Sequence, residues 1–525
     1  MKQLTGLDAV FLYMETPSTF GHVNAVALYR RPDDPDFDPY EAFKAQMESR
    51  LHLLDPFRRR LVEVPLGLDH PYWINDPDFD LEFHVRHIAI PKPGEMSQLA
   101  AQVSRIIGRP MDRSKPLWEA YVMEGLADDH FAVFSKTHHA TIDGAAGVQM
   151  LSMMLDADPA GDDIPTDDGS WQPEPVPSDL ELLRQTAGSY LQRPYRLARF
   201  QLQMAQQLAE MTRSRGLQNV LSTVRRQLPP PWNGEANDRD LPALPAIRAP
   251  RTPFNGSISR HRRLAMASVP LSDIKLLKEE AGATVNDIVM AMCSGALRAY
   301  LEHHDVLPEQ PLQAMVPVSV RTGEEDDIWT NRVSSLFVAL PTNEADPLER
   351  IREMRVAMER GKEQFDLLPA ETIMQVADFA SPALAAQAAR LASSLNLAEQ
   401  ATLPINVVIS NVPGPRKSLY MGGAEMEHYF PVSTIAEGVG LNITVHSYKD
   451  HLDIGLVACR EMVPDLDYLI SLHTSELDNL FDALGVTRPK PAKKATRPAK
   501  SAKKPAKKAK KPAKKASKRA AAEKS

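Results

Sequence analysis

The chain reads as an α/β protein of two domains, joined by a proline-rich and helical connector and followed by a basic tail. Three observations predict this. Segments with two-residue apolar alternation take turns along the chain with segments of helical spacing, the mark of a mixed α/β core. At 525 residues and 43% hydrophobic content, the chain can fill two ordinary domains with residues to spare. Proline and aspartate crowd residues 156–177, and PPPW and LPALPAIRAP mark residues 229–250 as extended, so the composition breaks between the two. The expected boundaries are 1–155, 156–250, 251–487 and 488–525.

In the first domain, residues 23–29 are apolar and strand-like, while 40–51 and 97–105 have helical spacing. Residues 118–123 and 131–137 read as strands around an acidic turn. In the connector, 180–228 is predicted helical, with Arg193, Arg196, Arg199, Arg213, Arg215, Arg225 and Arg226 interleaved with Leu, Phe and Met, and Pro194 breaking or kinking it. Such a basic helix can rest on an anionic membrane, or pack on its own domains with solvated arginines. In the second domain, 314–321, 333–340 and 405–410 look like buried strands. Residues 285–301 form a helix capped by Thr284, and 440–446 with 452–459 flank a hairpin turn at 447–451.

The charge is unevenly distributed. From Arg488 to Ser525 there are 17 Lys and Arg against Glu523 alone, a net of +16, so the body carries 44 basic and 67 acidic groups, a net of −23. Proline and like-charge repulsion forbid a packed core in the Lys/Ala/Pro tail, which is expected to be disordered. With no aromatic residue it suits unspecific contact with polyanions or an anionic surface, or simple solubilisation. No stretch approaches the roughly 18 apolar residues of a membrane span, and the N-terminus lacks the apolar core of a signal peptide. Two cysteines, Cys293 and Cys459, without metal-ligand spacing point to a reducing compartment, hence a cytoplasmic protein.

The densest chemistry lies where the strand FAVFSKT runs into His138-His139-Ala140-Thr141-Ile142-Asp143-Gly144. Two imidazoles arrive at a strand end, and Asp143 stands at the N-cap position of an apolar helix over 145–155. A histidine titrates near neutrality, so it can take a proton from a hydroxyl and return it to a leaving group. The competing readings are a structural His pair or a zinc site, but a third ligand and an HExxH pattern are missing, so no metal is expected. Gly144 would let the chain turn tightly beside the imidazole.

The string HHxxxDG resembles the motif of the coenzyme A-dependent acyltransferase superfamily. Further residues resemble its wax ester synthase/diacylglycerol acyltransferase branch. These are Leu7-Asp8 to His22, Pro116-Leu117-Trp118-Glu119, Asn286-Asp287, the strand PVSVR ending at Arg321, and Asn406 to Pro415 with its NVPGP. The motifs occur in family order over about residues 4 to 480. The resemblance implies two chloramphenicol acetyltransferase-like α/β domains, mixed sheets with flanking helices, and an active-site tunnel at their interface. It implies His139 as the general base, His138 as support, and Asp143 in a structural ion pair for which Arg321 is a plausible partner. Asn286 would stabilise an oxyanion or a substrate hydroxyl, or else serve as a helix cap. Trp118 reads as core. No residue of this sequence announces a coenzyme A phosphate site.

The implied reaction moves a long-chain acyl group from acyl-CoA, a co-substrate rather than a bound cofactor, to diacylglycerol or a fatty alcohol. Hydrophobic substrates imply peripheral association with the inner membrane face or with lipid droplets. The rivals are a carrier-protein-fed acyltransferase of the condensation type, and a non-catalytic lipid-binding tether.

Overall fold

Apolar alternation over 22–30 and 130–138 yields two nine-residue strands, β2 (His22–Arg30) and β7 (His130–His138), which pair antiparallel along their whole length with His22 opposite His138. They form the centre of the first of two six-stranded sheets in the computed structural model. The structure describes residues 1–188, 249–321, 328–365, 382–394, 397–400 and 403–488. Most of the expected helix over 180–228, and the tail from 489 onward, lie outside the described residues.

A short sheet is built from β1 (Lys2–Gln3), β3 (Arg59–Val62) and β4 (Tyr72–Asn75). The first large sheet continues from β7 to β6 (Trp118–Glu124), and then to β5 (Val85–Ala89), which runs parallel to β6. The expected acidic turn between β6 and β7 contains Asp128 and Asp129, both at φ 57°. Aspartate tolerates this left-handed region better than most side chains. The helices α1 (Gly6–Tyr13), α2 (Pro39–Arg50), α3 (Leu81–His84), α4 (Met96–Ile107) and α5 (Gly144–Met154) accompany this half.

The second sheet has the order β10-β9-β11-β14-β15-β8. Its strands are β8 (Arg262–Pro270), β9 (Leu312–Ser319), β10 (Val333–Leu340), β11 (Val407–Pro413), β14 (Leu441–Tyr448) and β15 (His451–Cys459). β9, β11 and β14 run parallel, and their partners on either side are antiparallel. Helices α6 (Leu271–Ala281), α7 (Val285–His303), α8 (Pro347–Phe365) and α10 (Leu466–Leu484) belong to this half, with α9 (Pro382–Ser394) between α8 and β11. α7 is buried without a break from Asp287 to Leu297, which is why that stretch is apolar all round rather than striped. Thr284 caps it through a reciprocal box: Asp287 N–H donates to Thr284 Oγ1 at 3.2 Å, and Thr284 N–H to Asp287 Oδ2 at 2.9 Å.

The halves are not independent. β12 (Tyr420–Met421) and β13 (Ala424–Val432), encoded among the strands of the second half, leave its sheet and extend the first by pairing β13 with β2. One apolar cluster is shared across the seam: Val26, Leu28 and Phe134 of the first sheet meet Ile106 of α4 and Leu264, Val457 and Cys459 of the second sheet. At the closest crossing, Gly455 of β15 lies under the Pro431 carbonyl of β13, with no room for a Cβ. Residues 1–487 accordingly form one compact unit. No described helix is long and apolar enough to cross a membrane.

The interior of the second half rests on a second close approach. Gly295, mid-way along α7, faces the buried ion pair of Arg350 with Glu476, and a Cβ there would collide with both side chains. Alanine normally stabilises a helix interior by about 1 kcal/mol relative to glycine. Here overpacking of a buried charge pair should reverse the sign and cost about 1–3 kcal/mol. Gly295→Ala is expected to lower the denaturant midpoint at unchanged m-value. A raised midpoint would show that the pair gives way without cost.

Candidate active site

The end of β7 is held on both sides by backbone. His138 N–H donates to the Leu117 carbonyl (2.9 Å) and His139 N–H to the Gly21 carbonyl (2.6 Å). The Pro116-Leu117-Trp118 segment therefore anchors the histidine pair through a peptide group. Trp118 itself is core, 2% exposed, stacked between Phe57 and His84 with its Nε1–H donating to the Phe57 carbonyl. His138 is committed to structure. Its Nδ1 accepts from Ala140 N–H (3.0 Å), so the ring proton sits on Nε2, which donates to Glu15 Oε1 at 3.2 Å. Glu15 also accepts from Gly21 N–H and pairs with Arg113 at 2.8 Å. Burial pushes the Glu15 carboxyl up, but the hydrogen bonds it accepts from His138 and from Gly21 N–H bring it well below the usual carboxylate range.

His139 is half-buried, with its ring stacked on Phe11 at 4.0 Å between centroids and 6° between planes. Its Nδ1 lies 3.0 Å from Asn331 Oδ1. The Asn331 amide has one possible orientation, because its Nδ2 donates both to the His139 carbonyl and to Asp8 Oδ1, each at 2.7 Å. Oδ1 is thus the end facing the imidazole, and it can only accept. The His139 proton must be on Nδ1, which leaves the Nε2 lone pair free. Asp8 is braced in turn by Asn331 N–H (3.0 Å) and by the Thr5 hydroxyl (2.7 Å). Burial pulls the His139 imidazole below its ordinary range, against the opposing pull of Asp143 and of the bond to Asn331, so the ring is neutral at pH 7.

Asp143, fully buried, caps α5 by accepting from Ala146 N–H at 2.8 Å. Its other oxygen accepts from Arg321 Nη2 (2.8 Å) and from Arg332 N–H (2.9 Å). Arg321 Nη2 also donates to the Thr330 carbonyl. One carboxylate thereby joins the histidine loop of the first half to the end of β9 and the start of β10 in the second. Gly144 differs from expectation. It is the first residue of α5, outside the left-handed region, and a Cβ there would make only ordinary contact with Val412 at 3.7 Å, so no tight turn demands glycine.

Asn286 is not the cap of α7, a role that Thr284 fills. Its Oδ1 accepts from Asn411 Nδ2 at 3.2 Å, and its Nδ2 points at the Met358 sulfur at 3.9 Å. It is connected to the histidine loop through β11, where Asn411 precedes Val412, the residue facing Gly144. The structure shows it bonded to Asn411 rather than to His139. Gly414 of NVPGP passes against the His446 ring and the Ser447 carbonyl with no space for a side chain. His446 is buried with both ring nitrogens unpaired, and burial pulls it down to about 4. Among the described residues no cluster of three His, Cys, Asp or Glu could hold a metal, and Cys293 and Cys459 are buried free thiols.

Asn331, Phe11 and Glu15 escaped sequence reasoning, as did the part played by Asp8. Each touches the histidines only because separate segments converge. Losing the Asn331 amide should free His139 to adopt the other tautomer and leave Asp8 buried with fewer donors. Asn331→Ala is expected to lower the kcat of the folded enzyme by about 10–100-fold, the range typical of orienting partners, and stability by about 1–3 kcal/mol through the buried groups it leaves unpaired. An unchanged kcat would show that the tautomer is set elsewhere.

The chain matches the model of the wax ester synthase/diacylglycerol acyltransferase catalytic domain over residues 4–289, and that of the C-terminal domain of the same enzymes over 329–481. It is 35% identical over 472 residues to a Mycobacterium tuberculosis protein provisionally named a diacylglycerol O-acyltransferase, covering 89% of this chain and 87% of the relative. A second relative from the same organism, tgs2, also provisionally named a diacylglycerol O-acyltransferase, is 33% identical over 479 residues, covering 91% and 98%. The solved wax ester synthase/diacylglycerol acyltransferase of Marinobacter aquaeolei VT8 superposes with a TM-score of 0.63 at 28% identity, over 93% of this chain and all of that one. A starter condensation domain of rhizomide synthetase shares the fold at TM-score 0.51 and 13% identity, over 92% and 94%. The two-domain mixed α/β architecture, the converging motifs and these matches place the chain in the wax ester synthase/diacylglycerol acyltransferase family of acyltransferases.

Proposed function

We propose that the protein transfers a long-chain acyl group from acyl-CoA to a lipid alcohol, with His139 Nε2 as the general base. The observation that carries this reading is the fixed tautomer: a neutral imidazole whose Nδ1–H is committed to Asn331, with Nε2 unprotonated and available. The acceptor hydroxyl gives its proton to Nε2 as its oxygen bonds to the thioester carbonyl carbon. When the tetrahedral intermediate collapses, the carbon–sulfur bond breaks and the departing thiolate takes the same proton from Nε2. The products are a neutral ester and free coenzyme A, and His139 is neutral again. No covalent enzyme intermediate and no bound cofactor are needed.

Diacylglycerol is the acceptor favoured by the names of the relatives, and a fatty alcohol is the alternative favoured by the family. His138, held by Glu15 and Ala140 N–H, keeps the strand end in place. Asp143 and Arg321 keep the loop shaped, and Asn286 acts through Asn411 on the wall beside Gly144. A preorganised donor at the developing oxyanion is worth about 2.7–4 kcal/mol. Substitution of Asn286 by alanine tests that role, since a loss confined to KM would assign it to binding. Water-insoluble substrates and the Lys-rich tail support peripheral attachment to an anionic membrane face or a lipid droplet.

His139→Ala should abolish acceptor-dependent release of coenzyme A thiol from palmitoyl-CoA, at unchanged folding, with diacylglycerol or hexadecanol as acceptor. Release that survives the substitution would refute His139 as base. In the wild type, kcat/KM should fall as pH drops, with the acid limb centred below the 6.5 of an ordinary histidine because burial lowers this one. A limb above pH 7 would contradict the neutral tautomer. Transfer from an acyl-carrier protein but not from acyl-CoA would move the chain to the condensation-type reading.

A further inference from the structure

Helix α1 and the residues at its two ends serve both histidines. Thr5, Asp8 and Phe11 are spaced three apart and so line up along one side of the helix, and Glu15 follows just beyond it. Asp8 reaches His139 through the Asn331 amide, Phe11 lies flat on the His139 ring, and Glu15 accepts from His138. The approach is close enough to need glycine on the facing segment. A Cβ on Gly21 would stand 2.9 Å from the Phe11 carbonyl, and the Gly21 carbonyl is the one that accepts from His139 N–H. Ala9 and Leu12 share a buried apolar cluster with Leu117 and Ala140, which fixes the helix against the histidine loop.

Burial works against a base. When Nε2 of His139 takes a proton the ring becomes an imidazolium, and the buried site disfavours that charge. The carboxylates around the ring are of two kinds. Asp143 is paired with Arg321 and accepts from Arg332 N–H, and Glu15 is shared by His138 and Arg113, so both are balanced by cations or committed elsewhere. Asp8 differs. Among the described residues its partners are neutral: Asn331 N–H at 3.0 Å, Asn331 Nδ2 at 2.7 Å and the Thr5 hydroxyl at 2.7 Å. The Thr5 oxygen accepts from Asp8 N–H at 3.2 Å, so its own proton points at Asp8 Oδ2. Burial pushes the Asp8 carboxyl up, against the pull of the Thr5 and Asn331 bonds. A protonated Asp8 would bring a further proton to partners that already donate, whereas an anion suits both those donors and the first turn of a helix. Phe11 acts on the ring face. It lies parallel to the imidazole with centroids 4.0 Å apart, inside the roughly 6 Å over which an aromatic face attracts a cation.

We infer that α1 stabilises the imidazolium of His139 during proton transfer, with Asp8 supplying negative charge behind Nδ1–H through the Asn331 amide and Phe11 supplying a π face against the ring. Both are positioning residues, since they act through His139. The inference rests on the acyl-transfer reading above for the step that is assisted. No proton passes to Asp8: the Nδ1 proton stays on the ring, while the hydroxyl proton moves to Nε2 and then to the departing thiolate. Both interactions strengthen only as the charge forms, so they act on kcat and leave ground-state binding unchanged. Asn331 gives the ring its direction, and Asp8 gives it a counter-charge.

The test uses Asp8→Asn and Phe11→Leu in the full chain, with palmitoyl-CoA as donor. Asparagine keeps the Oδ1 to which Asn331 donates and can return an N–H to the Thr5 oxygen, so the charge is removed and the shape is kept. Leucine keeps apolar bulk and removes the π face. Losing a nearby negative charge makes the imidazole harder to protonate, so the acid limb of kcat/KM should move to lower pH. In Asp8→Asn the move is expected to be about one pH unit, the low end for an opposite charge within roughly 4–6 Å, with plateau kcat down about tenfold and KM unchanged. Phe11→Leu should lower kcat about threefold to tenfold with a smaller move in the same direction, and Phe11→Tyr should restore it. Added to Asn331→Ala, Asp8→Asn should cause no further loss, because its charge acts through that amide. NMR titration of the His139 ring reads the same shift without substrate. Thermal melting checks folding, and if Asp8→Asn does not fold, Phe11→Leu with its tyrosine rescue decides. A lowered plateau with the limb and the ring titration unmoved in both variants would make α1 a scaffold and overturn the inference. So would full additivity of Asp8→Asn with Asn331→Ala. If the wild type shows no acceptor-dependent release, the acyl-transfer reading fails, and the NMR titration still tests the coupling of α1 to the ring.

Discussion

The carboxylate of Asp143 ties the histidine loop of the first half to the second half of the protein. It caps the helix after the histidine pair with one oxygen and accepts from Arg321 and from Arg332 N–H with the other. Those partners come from the second half of the protein, flanking the β9–β10 connection. Asn331 lies between Arg332 and Thr330, so the same tie that neutralises Asp143 also delivers the amide that orients His139. A fully buried carboxylate without partners would cost several kcal/mol. The two halves must therefore be assembled before the loop can hold its shape. The geometry of the histidine loop and the docking of the two halves are one structural event.

The same dependence appears in the sheets. β13 crosses from the second half to pair with β2, and β2 pairs with β7, whose end carries the histidines. The apolar cluster across the seam draws on both sheets and on α4. Gly455, lying without a Cβ under the Pro431 carbonyl, sets how closely they cross. Sliding one half against the other would break main-chain pairing, expose a shared core and pull Arg321 and Asn331 from the histidine loop together. An interface of that kind keeps the segments around the histidine loop in register.

Neighbouring imidazoles are given different work by what their nitrogens meet. His138 accepts from a backbone N–H and donates to a carboxylate, so both nitrogens are used. His139 donates once, to an amide oxygen whose orientation is forced by its own two acceptors, and keeps a lone pair. Burial holds that ring neutral. The distinction needs no metal and no shift of charge, only the placement of Asn331.

By itself the sequence determined what is local. Apolar alternation marked β7, β10 and the β14–β15 hairpin, helical spacing with Thr284 marked α7, and a string of short motifs marked the histidine strand, its capping aspartate and the family. These depend on periodicity, capping and turn chemistry, which act over a few residues. Apart from the Asp143–Arg321 pair, which the family resemblance implied across 178 positions, the sequence could not show contacts between segments far apart in the chain. Asn331 meets His139 across 192 positions and Asn24 meets Val432 across 408, and neither leaves a periodic signal. Gly144 looked like a tight turn and Asn286 like a helix cap in isolation, but packing made the first a helix start and gave the cap of α7 to Thr284. The lending of β13 to the first sheet is likewise a tertiary fact. Local rules choose the elements, and the burial of shared apolar surface and unpaired polar groups decides which of them meet.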